Sequence, residues 1–305
     1  MSAYYILYNP IAANRHGKEK AQELKKVLRD ESFIFEDITS VINYYNFFAK
    51  LEPDDKIVIA GGDGTLNRFI NSTDGMDIKN DIYYYAAGSG NDFFRDVSET
   101  DKKSNYCKIN KYIKNLPTVE VNGQKYKFLN GIGFGIDGYC CEAGDEMRKN
   151  ISDSKEINYT SIAIKGLLFK YKPTDAEITA DGVTCNFKNV WLAPTMNGRF
   201  YGGGMMPTPS QNRLNNETVS TMVMHSSGKL KTLMIFPSIF KGEHIKHPDT
   251  VSIISGKEIT VKFSEPRALQ IDGETIKNVT EYTVSAPPVK KEEKENKKVD
   301  IKAAI

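Results

Sequence analysis

The chain has 305 residues, 40% of them hydrophobic, and a formal net charge of +2 at pH 7. The lysine-rich segment from Lys290 accounts for this charge, and no basic stripe with interleaved aromatic residues occurs, which argues against a nucleic-acid partner. No run of about eighteen apolar residues is present, which argues against a membrane-spanning helix, and the length favours two domains.

Cysteine usage and the start of the chain indicate a cytoplasmic protein. The four cysteines, Cys107, Cys140, Cys141 and Cys185, form no Cys-x-x-Cys pair and have no histidine at metal-binding spacing, so we expect reduced thiols. The first residues lack a basic region followed by a long apolar run. They therefore predict a first strand rather than a signal peptide.

The first third of the chain alternates predicted strands with predicted helices. Strands are predicted at residues 4–8, 33–38, 57–60 and 82–87, and helices at residues 18–29, 41–51 and 105–114. This alternation predicts a parallel sheet covered by helices. We expect an α/β domain over residues 1–117.

The most informative segment is the glycine cluster Gly61-Gly62-Asp63-Gly64-Thr65, which follows a predicted strand and begins a predicted helix. Glycine has no Cβ, so the backbone can take positive φ and bring amide N–H groups close to an anion. The start of the following helix would present further free N–H groups to the same anion. No lysine closes the cluster, which argues against a Walker-type loop.

A second glycine-rich segment, Gly88-Ser89-Gly90-Asn91-Asp92, follows the strand predicted at residues 82–87. In a parallel sheet, two such loops lie side by side beyond the carboxyl ends of the strands, where open α/β sheets bind ligands. One cluster alone would fit a tight strand-to-helix turn equally well. The pair predicts a nucleotide site.

The second part of the chain carries β signals. Three dipeptides typical of hairpin turns are flanked by β-forming residues: Asn122-Gly123, Asp181-Gly182 and Asp272-Gly273. Helices are predicted at residues 138–149, 159–170 and 229–240, within a β-rich domain over residues 118–288. Residues 289–305, rich in lysine and glutamate, are expected to form a disordered tail.

Five motifs occur in one order along the chain: Gly61-Gly62-Asp63-Gly64-Thr65, Gly88-Ser89-Gly90-Asn91-Asp92, Phe128-Leu129-Asn130 with Gly133-Phe134-Gly135, Tyr201-Gly202-Gly203-Gly204, and Gln270-Ile271-Asp272-Gly273-Glu274. Together they resemble the diacylglycerol kinase catalytic family, in its bacterial soluble lipid kinase branch. The likeness covers roughly residues 3 to 286. The first motif alone is also similar to NAD kinases and phosphofructokinases.

This resemblance implies a fold and a reaction. The fold is an α/β N-terminal domain of the NAD kinase and phosphofructokinase type, with a parallel sheet flanked by helices, followed by a C-terminal β-sandwich domain. The resemblance implies that this second domain, residues 118–288, holds the lipid substrate. In the cleft between them, with Mg²⁺, the γ-phosphoryl group of ATP would pass to a lipid hydroxyl, with diacylglycerol giving phosphatidic acid. The protein would act peripherally at the inner membrane leaflet. A homodimer is also compatible with the resemblance.

Two other functions stay open. A kinase of a soluble metabolite hydroxyl, similar to NAD kinases, shares the first glycine cluster. A nucleotide-binding protein without catalysis is also compatible, because residues 211–216 depart from the family pattern. Many bacterial relatives carry aspartates there that hold a structural Mg²⁺, whereas this chain has neutral amides such as Asn212 and Asn216, which bind Mg²⁺ poorly.

The resemblance also assigns roles to residues of the first domain. The nucleotide would contact Asn9, Gly61, Gly62, Asp63, Gly64, Thr65, Gly88, Ser89, Gly90 and Asn91. Asp63 and Asp92 would hold Mg²⁺, since an ionised carboxylate can only accept hydrogen bonds. Asp63 fits a helix N-cap as well. Glu120 would reach the metal through water, although an exposed strand carboxylate is equally compatible with its position.

In the second domain, Asp272 would be the general base for the lipid hydroxyl, and Glu274 would help to fix the metal or the base. From the residues alone, Asp272-Gly273 predicts a hairpin turn. The apolar segment 229–240 with flanking lysines fits either a membrane-docking surface or, as its spacing and Pro237 favour, part of the core.

Overall fold

The computed structural model of the protein describes residues 2–28, 31–88, 90–98, 105–150, 162, 166, 170–214 and 217–287. The predicted tail at 289–305 and most of the helix predicted at 159–170 lie outside these residues. Ser89, Asn215 and Asn216 also lie outside them.

The first domain is built on a sheet that, among the described residues, has five strands in the order β2-β1-β3-β4-β5. The strands are β1 Ala3–Tyr8, β2 Ser32–Asp37, β3 Lys56–Gly61, β4 Asp81–Ala86 and β5 Tyr106–Lys108. The first four pair in parallel, whereas β5 runs antiparallel to β4. The prediction of an α/β domain is confirmed, but its sheet is mixed rather than wholly parallel.

The edge strand β5 corrects the helix predicted at residues 105–114. Only a short helix at Asn110–Ile113 remains there. The Tyr106 ring stacks on Tyr83 of β4 with ring centroids 4.9 Å apart. This cross-strand packing holds the segment in the sheet, and a three-residue strand is too short to show a period in the sequence.

Helices cover both faces of this sheet. They are α1 Ala12–Arg15, α2 Gly17–Gln22, α3 Leu24–Val27, α4 Tyr44–Phe48, α5 Asp63–Ser72, α6 Asp92–Val97 and α7 Asn110–Ile113. Successive residues of β3 enter different cores: Ile57 and Ile59 pack on one side, Val58 and Ala60 on the other. A strand covered on both faces is therefore continuously apolar, as its sequence shows.

The second domain is built on an antiparallel sheet. Among the described residues its main path is β13-β12-β11-β8-β14-β15-β6-β7, with β9 joined to β14 and β10 joined to β9. The strands are β6 Thr118–Val121, β7 Gln124–Lys127, β8 Gly131–Phe134, β9 Thr174–Ala180, β10 Val183–Val190, β11 Thr195–Met196, β12 Val219–Met224, β13 Val251–Gly256, β14 Glu258–Ile271 and β15 Glu274–Ser285.

The long strand β14 folds this sheet over itself. Its first half pairs with β9 and its second half with β8, and its register with β15 shifts between Lys262 and Leu269. Phe134 and Phe263 stack with ring centroids 3.9 Å apart inside the fold. The predicted sandwich is thus formed by one bent sheet that encloses its own core.

Two helices of the second domain fall near their predicted positions. Helix α8 spans Ile136–Asn150 and α9 spans Lys229–Ile235, and a 3₁₀ segment Phe236–Lys241 follows at Pro237. Ile235, Phe236 and Ile239 are buried, which confirms a core role for part of this segment. In the described part of the chain, no helix is long and apolar enough to cross a membrane.

Candidate active site

The two glycine loops lie side by side. Strands β3 and β4 are parallel neighbours, and the N–H of Ala87 donates to the carbonyl of Gly61 at 2.9 Å. A Cβ placed on Gly88 would lie 2.5 Å from the Cα of Gly62. Only glycine fits at Gly88, because the two backbones touch there. The predicted proximity of the loops is confirmed.

Side chains of the loops mostly bond within the loops. Asn91, with a left-handed φ of 50°, accepts from the Gly88 N–H at 3.1 Å and donates to the Gly88 carbonyl at 2.6 Å. Asp63 Oδ2 accepts from the N–H groups of Asp92 at 2.7 Å and Phe93 at 3.4 Å. Asp63 therefore caps α6, the helix after the second loop, rather than its own helix.

Asn9 joins the loop after β1 to the first glycine cluster. Its Nδ2 donates to Thr65 Oγ1 at 2.8 Å. The chain then turns through Ala13 and Asn14, which have left-handed backbones with φ of 49° and 56°. A Cβ on Gly64 would meet no atom within 4 Å, so the space over the start of α5 is open. These loops leave backbone amides available to an anion.

Asp92 is buried and has an unused oxygen. Its Oδ2 accepts from the Gly203 N–H at 2.7 Å, while Oδ1 is enclosed without a hydrogen-bond partner and lies 3.6 Å from Arg95 Nη1. Burial, with a further contribution from the Asp63 carboxylate, raises the pKa of Asp92 to about 7. Burial also raises the pKa of Asp63. An enclosed carboxylate oxygen that receives no hydrogen bond suits a hard cation such as Mg²⁺, and in this structure Arg95 is its ion-pair partner.

Asp63 and Asp92 alone do not complete a metal site. Within the described ranges, no group of three or more His, Cys, Asp or Glu side chains is arranged to hold a metal. Phosphate oxygens and water would have to supply the remaining ligands, as Mg²⁺ commonly requires. Glu120 lies exposed on β6 and is not part of the cleft wall. Its water-mediated role stays a prediction.

Asp272 occupies the turn between β14 and β15 and faces the first domain. Its carboxylate accepts from Asn67 Nδ2 at 2.6 Å, from the N–H groups of Asn130 at 2.8 Å and Gly131 at 3.1 Å, and from the N–H of Leu129. An ionised carboxylate offers about four acceptor positions, so all are occupied. Burial raises the pKa of Asp272 to about 6, although the backbone N–H groups oppose this.

Helix α5 carries the contacts between the first glycine loop and the second domain. Besides Asn67, Asn71 donates to the Lys127 carbonyl at 2.9 Å and accepts from the Lys127 N–H at 2.9 Å. Arg68 Nη2 lies 3.0 Å from Glu274 Oε1, and both side chains are exposed. An exposed pair of this kind contributes little stability. The helix that starts at the first glycine loop therefore also positions the Asp272 turn.

A buried ion pair also joins the domains, and the sequence did not predict it. Arg213 Nε lies 2.6 Å from Asp96 Oδ2, and Arg213 Nη2 donates to Asn130 Oδ1 at 3.1 Å. Arg199 Nε pairs with Asp96 Oδ1 at 2.7 Å. Arg213 lies in segment 211–216, where the family resemblance led us to expect acidic residues. Here a guanidinium, rather than a carboxylate, enters the junction, and Asn212 instead accepts from the Leu214 N–H at 3.0 Å.

The loops and the Asp272 turn line one cleft of about 1120 Å³. Of the predicted site residues, this cleft brings together Asn9, Gly62, Asp63, Gly64, Thr65, Gly88, Gly90, Asn91, Asp92, Asp272 and Glu274. Asp137 and Tyr201, which were not predicted, also line it. Tyr201 begins one of the motifs that carry the family resemblance, and Asp137 follows another by two residues. Their positions next to these motifs are the signal that could have identified them.

Comparisons with known proteins agree with this architecture. Residues 3–120 match the family model of the diacylglycerol kinase catalytic domain, and residues 130–289 match that of the YegS C-terminal NAD kinase beta sandwich-like domain. The chain is 24% identical over 314 residues to "Putative lipid kinase YtlR" of Bacillus subtilis (strain 168), covering 94% of this chain and 98% of that protein.

Two further relatives cover most of the chain. The diacylglycerol kinase of Bacillus subtilis (strain 168) is 25% identical over 280 residues, covering 88% of each chain. The crystal structure of a diacylglycerol kinase from Bacillus anthracis str. Sterne superposes with a TM-score of 0.58 at 18% identity, covering 94% of each chain. At this identity the structural likeness shows a shared fold.

Proposed function

The chain belongs to the bacterial diacylglycerol kinase-like family, and we propose that it transfers the γ-phosphoryl group of ATP, with Mg²⁺, to the hydroxyl of a lipid. Diacylglycerol is the proposed acceptor and phosphatidic acid the product. The acceptor would be taken from the cytoplasmic leaflet of a membrane. The exposed side chains of Leu230 and Met234, 77% and 75% accessible, support a peripheral contact with lipid.

One observation carries the proposal: a single helix connects the phosphate loop to the proposed base. Helix α5 begins at Asp63, and its residue Asn67 bonds Asp272 at 2.6 Å. Four helical residues span only about 6 Å along the axis. The Asp272 carboxylate thus faces the same short stretch of cleft as the loops, which suits a hydroxyl aimed at the outermost phosphate.

In this proposal the loops hold the nucleotide through their backbone. The amides of Gly62 and Gly64, at the start of α5, would bind phosphate oxygens. The N–H groups of Thr65 and Gly88 already donate to the Gly62 carbonyl and to Asn91 Oδ1, so these two residues would line the phosphate site without donating to it. Asp92 Oδ1, with Asp63 beside it, would hold Mg²⁺. The ion would neutralise charge on the transferring phosphate.

Asp272 is the proposed general base. With a pKa of about 6 it is mostly ionised near pH 7, as a base must be. Its four acceptor positions are occupied, so an incoming hydroxyl would take the place of the Asn67 amide, a side-chain donor that can rotate away. The three backbone N–H groups would keep the carboxylate oriented. Glu274, two residues on, would fix the turn or the metal.

Transfer of labelled phosphate from Mg²⁺-ATP tests this function. The γ-labelled nucleotide is offered with diacylglycerol, a sphingoid base or a long-chain alcohol in mixed micelles, and with NAD in detergent-free buffer. We expect label in the lipid, with diacylglycerol the best acceptor. Label in NAD alone would instead identify a kinase of soluble metabolites. ATP binding without transfer to any acceptor would identify a non-catalytic nucleotide-binding protein.

A further inference from the structure

One buried guanidinium in the junction between the domains is bonded in three directions. The side chains of Arg213 and Asp96 are each only 4% exposed, and Arg213 Nε lies 2.6 Å from Asp96 Oδ2. Arg213 Nη1 donates to the Leu129 carbonyl at 3.1 Å, and Nη2 donates to Asn130 Oδ1 at 3.1 Å. All three nitrogens of the guanidinium are therefore engaged, and each contacts a different residue.

Asp96 places one end of this contact on the helix of the proposed metal ligand. Helix α6 begins at Asp92, so Asp96 lies about one turn, or about 6 Å, further along its axis. The Arg213 guanidinium carbon also lies 4.8 Å from the centre of the Phe93 ring, and the Phe93 N–H donates to Asp63 at 3.4 Å. Both carboxylates proposed to hold Mg²⁺ are thus within one turn, or one hydrogen bond, of a residue that Arg213 contacts.

The other two bonds of Arg213 reach the segment that holds the proposed base. Leu129 and Asn130 donate their backbone N–H groups to the Asp272 carboxylate. The same two residues present the carbonyl and the side-chain oxygen to which Arg213 donates. A shift of this segment would move the N–H groups, and with them the carboxylate that they orient.

Gly198 leaves the space in which the buried pair fits. A Cβ placed on Gly198 would lie 2.1 Å from Arg213 Nη2 and 2.3 Å from Asp96 Oδ2. A larger residue at Gly198 would therefore displace the guanidinium or the carboxylate. Arginine presents several N–H donors in one fixed plane, whereas a lysine would offer a single nitrogen to partners in three directions. The contact thus depends on the shape of the guanidinium as well as on its charge.

Arg199 shows that an ion pair with Asp96 does not by itself make this link. Arg199 Nε lies 2.7 Å from Asp96 Oδ1, and Nη2 donates to the Asp96 carbonyl at 3.1 Å. Within the part of the chain that the structure describes, the hydrogen bonds of Arg199 go to Asp96 and to no residue of the segment 129–131. Arg199 is therefore the matched comparison for Arg213.

We propose that Arg213 is a positioning residue that fixes the Asp272 carboxylate relative to the carboxylates of Asp63 and Asp92. Its guanidinium spans the domain junction, with one bond to α6 and two to residues 129–130. Phosphoryl transfer depends on alignment, so the distance between the base and the metal-bound phosphate affects the rate of the chemical step. This inference rests on the proposed function, because Arg213 would align the two halves of that site.

Arg213→Lys tests this role, with Arg199→Lys as the control, because both substitutions keep a positive charge beside Asp96. A misplacement of about 1 Å can cost about 100-fold, so kcat for labelled-phosphate transfer should fall about 10- to 100-fold in Arg213→Lys. The KM values for ATP and diacylglycerol should stay within about threefold, because the lost interaction aligns the reacting groups and binds neither substrate. Arg199→Lys should change kcat less than about threefold.

Amide hydrogen exchange gives a readout that does not need catalysis. The N–H groups of residues 129–131 donate to Asp272, so they should exchange slowly in the wild type. Loss of the two arginine bonds to this segment should speed that exchange about 10-fold or more in Arg213→Lys. Exchange of the same N–H groups should not change in Arg199→Lys.

The outcomes separate this inference from the proposed function. When the wild type phosphorylates lipid, three results would overturn the positioning role and leave the kinase proposal intact. These are a kcat of folded Arg213→Lys within about threefold of wild type, a comparable loss of kcat in Arg199→Lys, and unchanged exchange at residues 129–131. When the wild type transfers phosphate to no acceptor, the kinase proposal is overturned. Exchange at residues 129–131 then supports the link if it is faster in Arg213→Lys alone and overturns it if it is not.

Melting curves identify a variant that has simply unfolded. If Arg213→Lys is unfolded, Gly198→Ala decides by the same two measurements, because its Cβ would displace the guanidinium without changing any group that Arg213 contacts. We expect a lower kcat and faster exchange at residues 129–131 in Gly198→Ala. Wild-type values for both in that variant would overturn the positioning role.

Discussion

Two turns of the second domain have the same Asp-Gly dipeptide and the same backbone conformation, but their aspartates differ in burial and in neighbours. Asp181-Gly182 joins β9 to β10 with φ of 49° and 84°, and Asp272-Gly273 joins β14 to β15 with φ of 45° and 94°. Each aspartate accepts from backbone N–H groups of another segment: Asp181 from Lys257 and Glu258, Asp272 from residues 129–131. Locally, the two turns are equivalent.

The pKa values of the two carboxylates are nevertheless shifted in opposite directions. The Glu258 and Lys257 N–H groups lower the pKa of exposed Asp181, whereas burial raises the pKa of Asp272 to about 6. Asp272 also accepts from Asn67 of the first domain and lines the same cleft as the glycine loops. Asp-Gly thus specifies the turn, whereas the opposing domain determines whether the aspartate is placed to take part in chemistry.

The largest expected effect comes from removing the Asp272 charge. Asp272→Asn should lower turnover by roughly two to four orders of magnitude, because the base is lost. It should leave ATP binding intact. Stability should fall by about 1–3 kcal/mol, since the new amide cannot accept every backbone N–H. Turnover is measured by labelled-phosphate transfer and stability by urea unfolding.

Asp181→Asn is the matched control for that substitution. It removes hydrogen bonds of the same kind from the same kind of turn, away from the cleft, so turnover should not change. Equal loss of turnover in the two variants would mean that Asp272 acts through the fold alone.

Forcing the glycine loops apart should have the next largest effect. A Cβ at Gly88 would lie 2.5 Å from the Gly62 backbone, so Gly88→Ala must displace one loop. A displacement of about 1 Å can cost about 100-fold, and we expect kcat/KM for ATP to fall by about that factor. Gly228→Ala, where a Cβ meets nothing within 4 Å, is the control. Unchanged ATP kinetics in Gly88→Ala would contradict a phosphate site between these loops.

The two turns should also respond to pH in opposite directions. Activity that needs ionised Asp272 should fall about tenfold per unit below pH 6. A raised folded pKa means that the contribution of Asp272 to stability is present below its unfolded pKa of about 3.9 and is lost as pH rises through about 6. The lowered pKa of Asp181 gives a contribution present above the unfolded pKa and lost on acidification.

Melting temperatures from pH 3 to 7 check these signs. In Asp272→Asn, the stability that the wild type loses as pH rises toward 6 should no longer be lost. In Asp181→Asn, the stability that the wild type loses as pH falls below the unfolded pKa should no longer be lost. The same pH dependence in both variants would show that the two carboxylates are not distinguished by their surroundings.

The smallest effect is expected at the exposed pair beside the Asp272 turn. Arg68 and Glu274 lie 3.0 Å apart with side chains 72% and 65% accessible. Exposed pairs contribute about 0–1 kcal/mol, so Arg68→Gln should change kcat/KM less than about fivefold. Steady-state kinetics at two salt concentrations measure this. A loss comparable to that of Asp272→Asn would assign Arg68 a direct contact with the nucleotide.

The features that could be predicted from the sequence are those set by residues that are adjacent along the chain. The glycine loops and the three hairpin turns follow from short patterns of glycine, asparagine and aspartate with defined backbone needs. The β14 bend was not predicted, because its register shift depends on pairing with three different strands. Strand β5 was missed because it is short and is held by packing against β4.

Site contacts between distant residues could not be predicted. Arg213 meets Asp96 across 117 positions, and Tyr201 meets Asp137 across 64. No local period or spacing carries such information, and only the folded chain brings these side chains together. The family resemblance supplied Asp272 as a candidate base, but not the four donors that occupy its oxygens.

The most direct test of the account is a crystal structure of the protein with Mg²⁺ and a non-hydrolysable ATP analogue. We expect the phosphates between the glycine loops at residues 62–65 and 88–91, the metal on Asp92, and the outermost phosphorus facing Asp272. A nucleotide bound elsewhere, or phosphates turned away from the Asp272 turn, would contradict it.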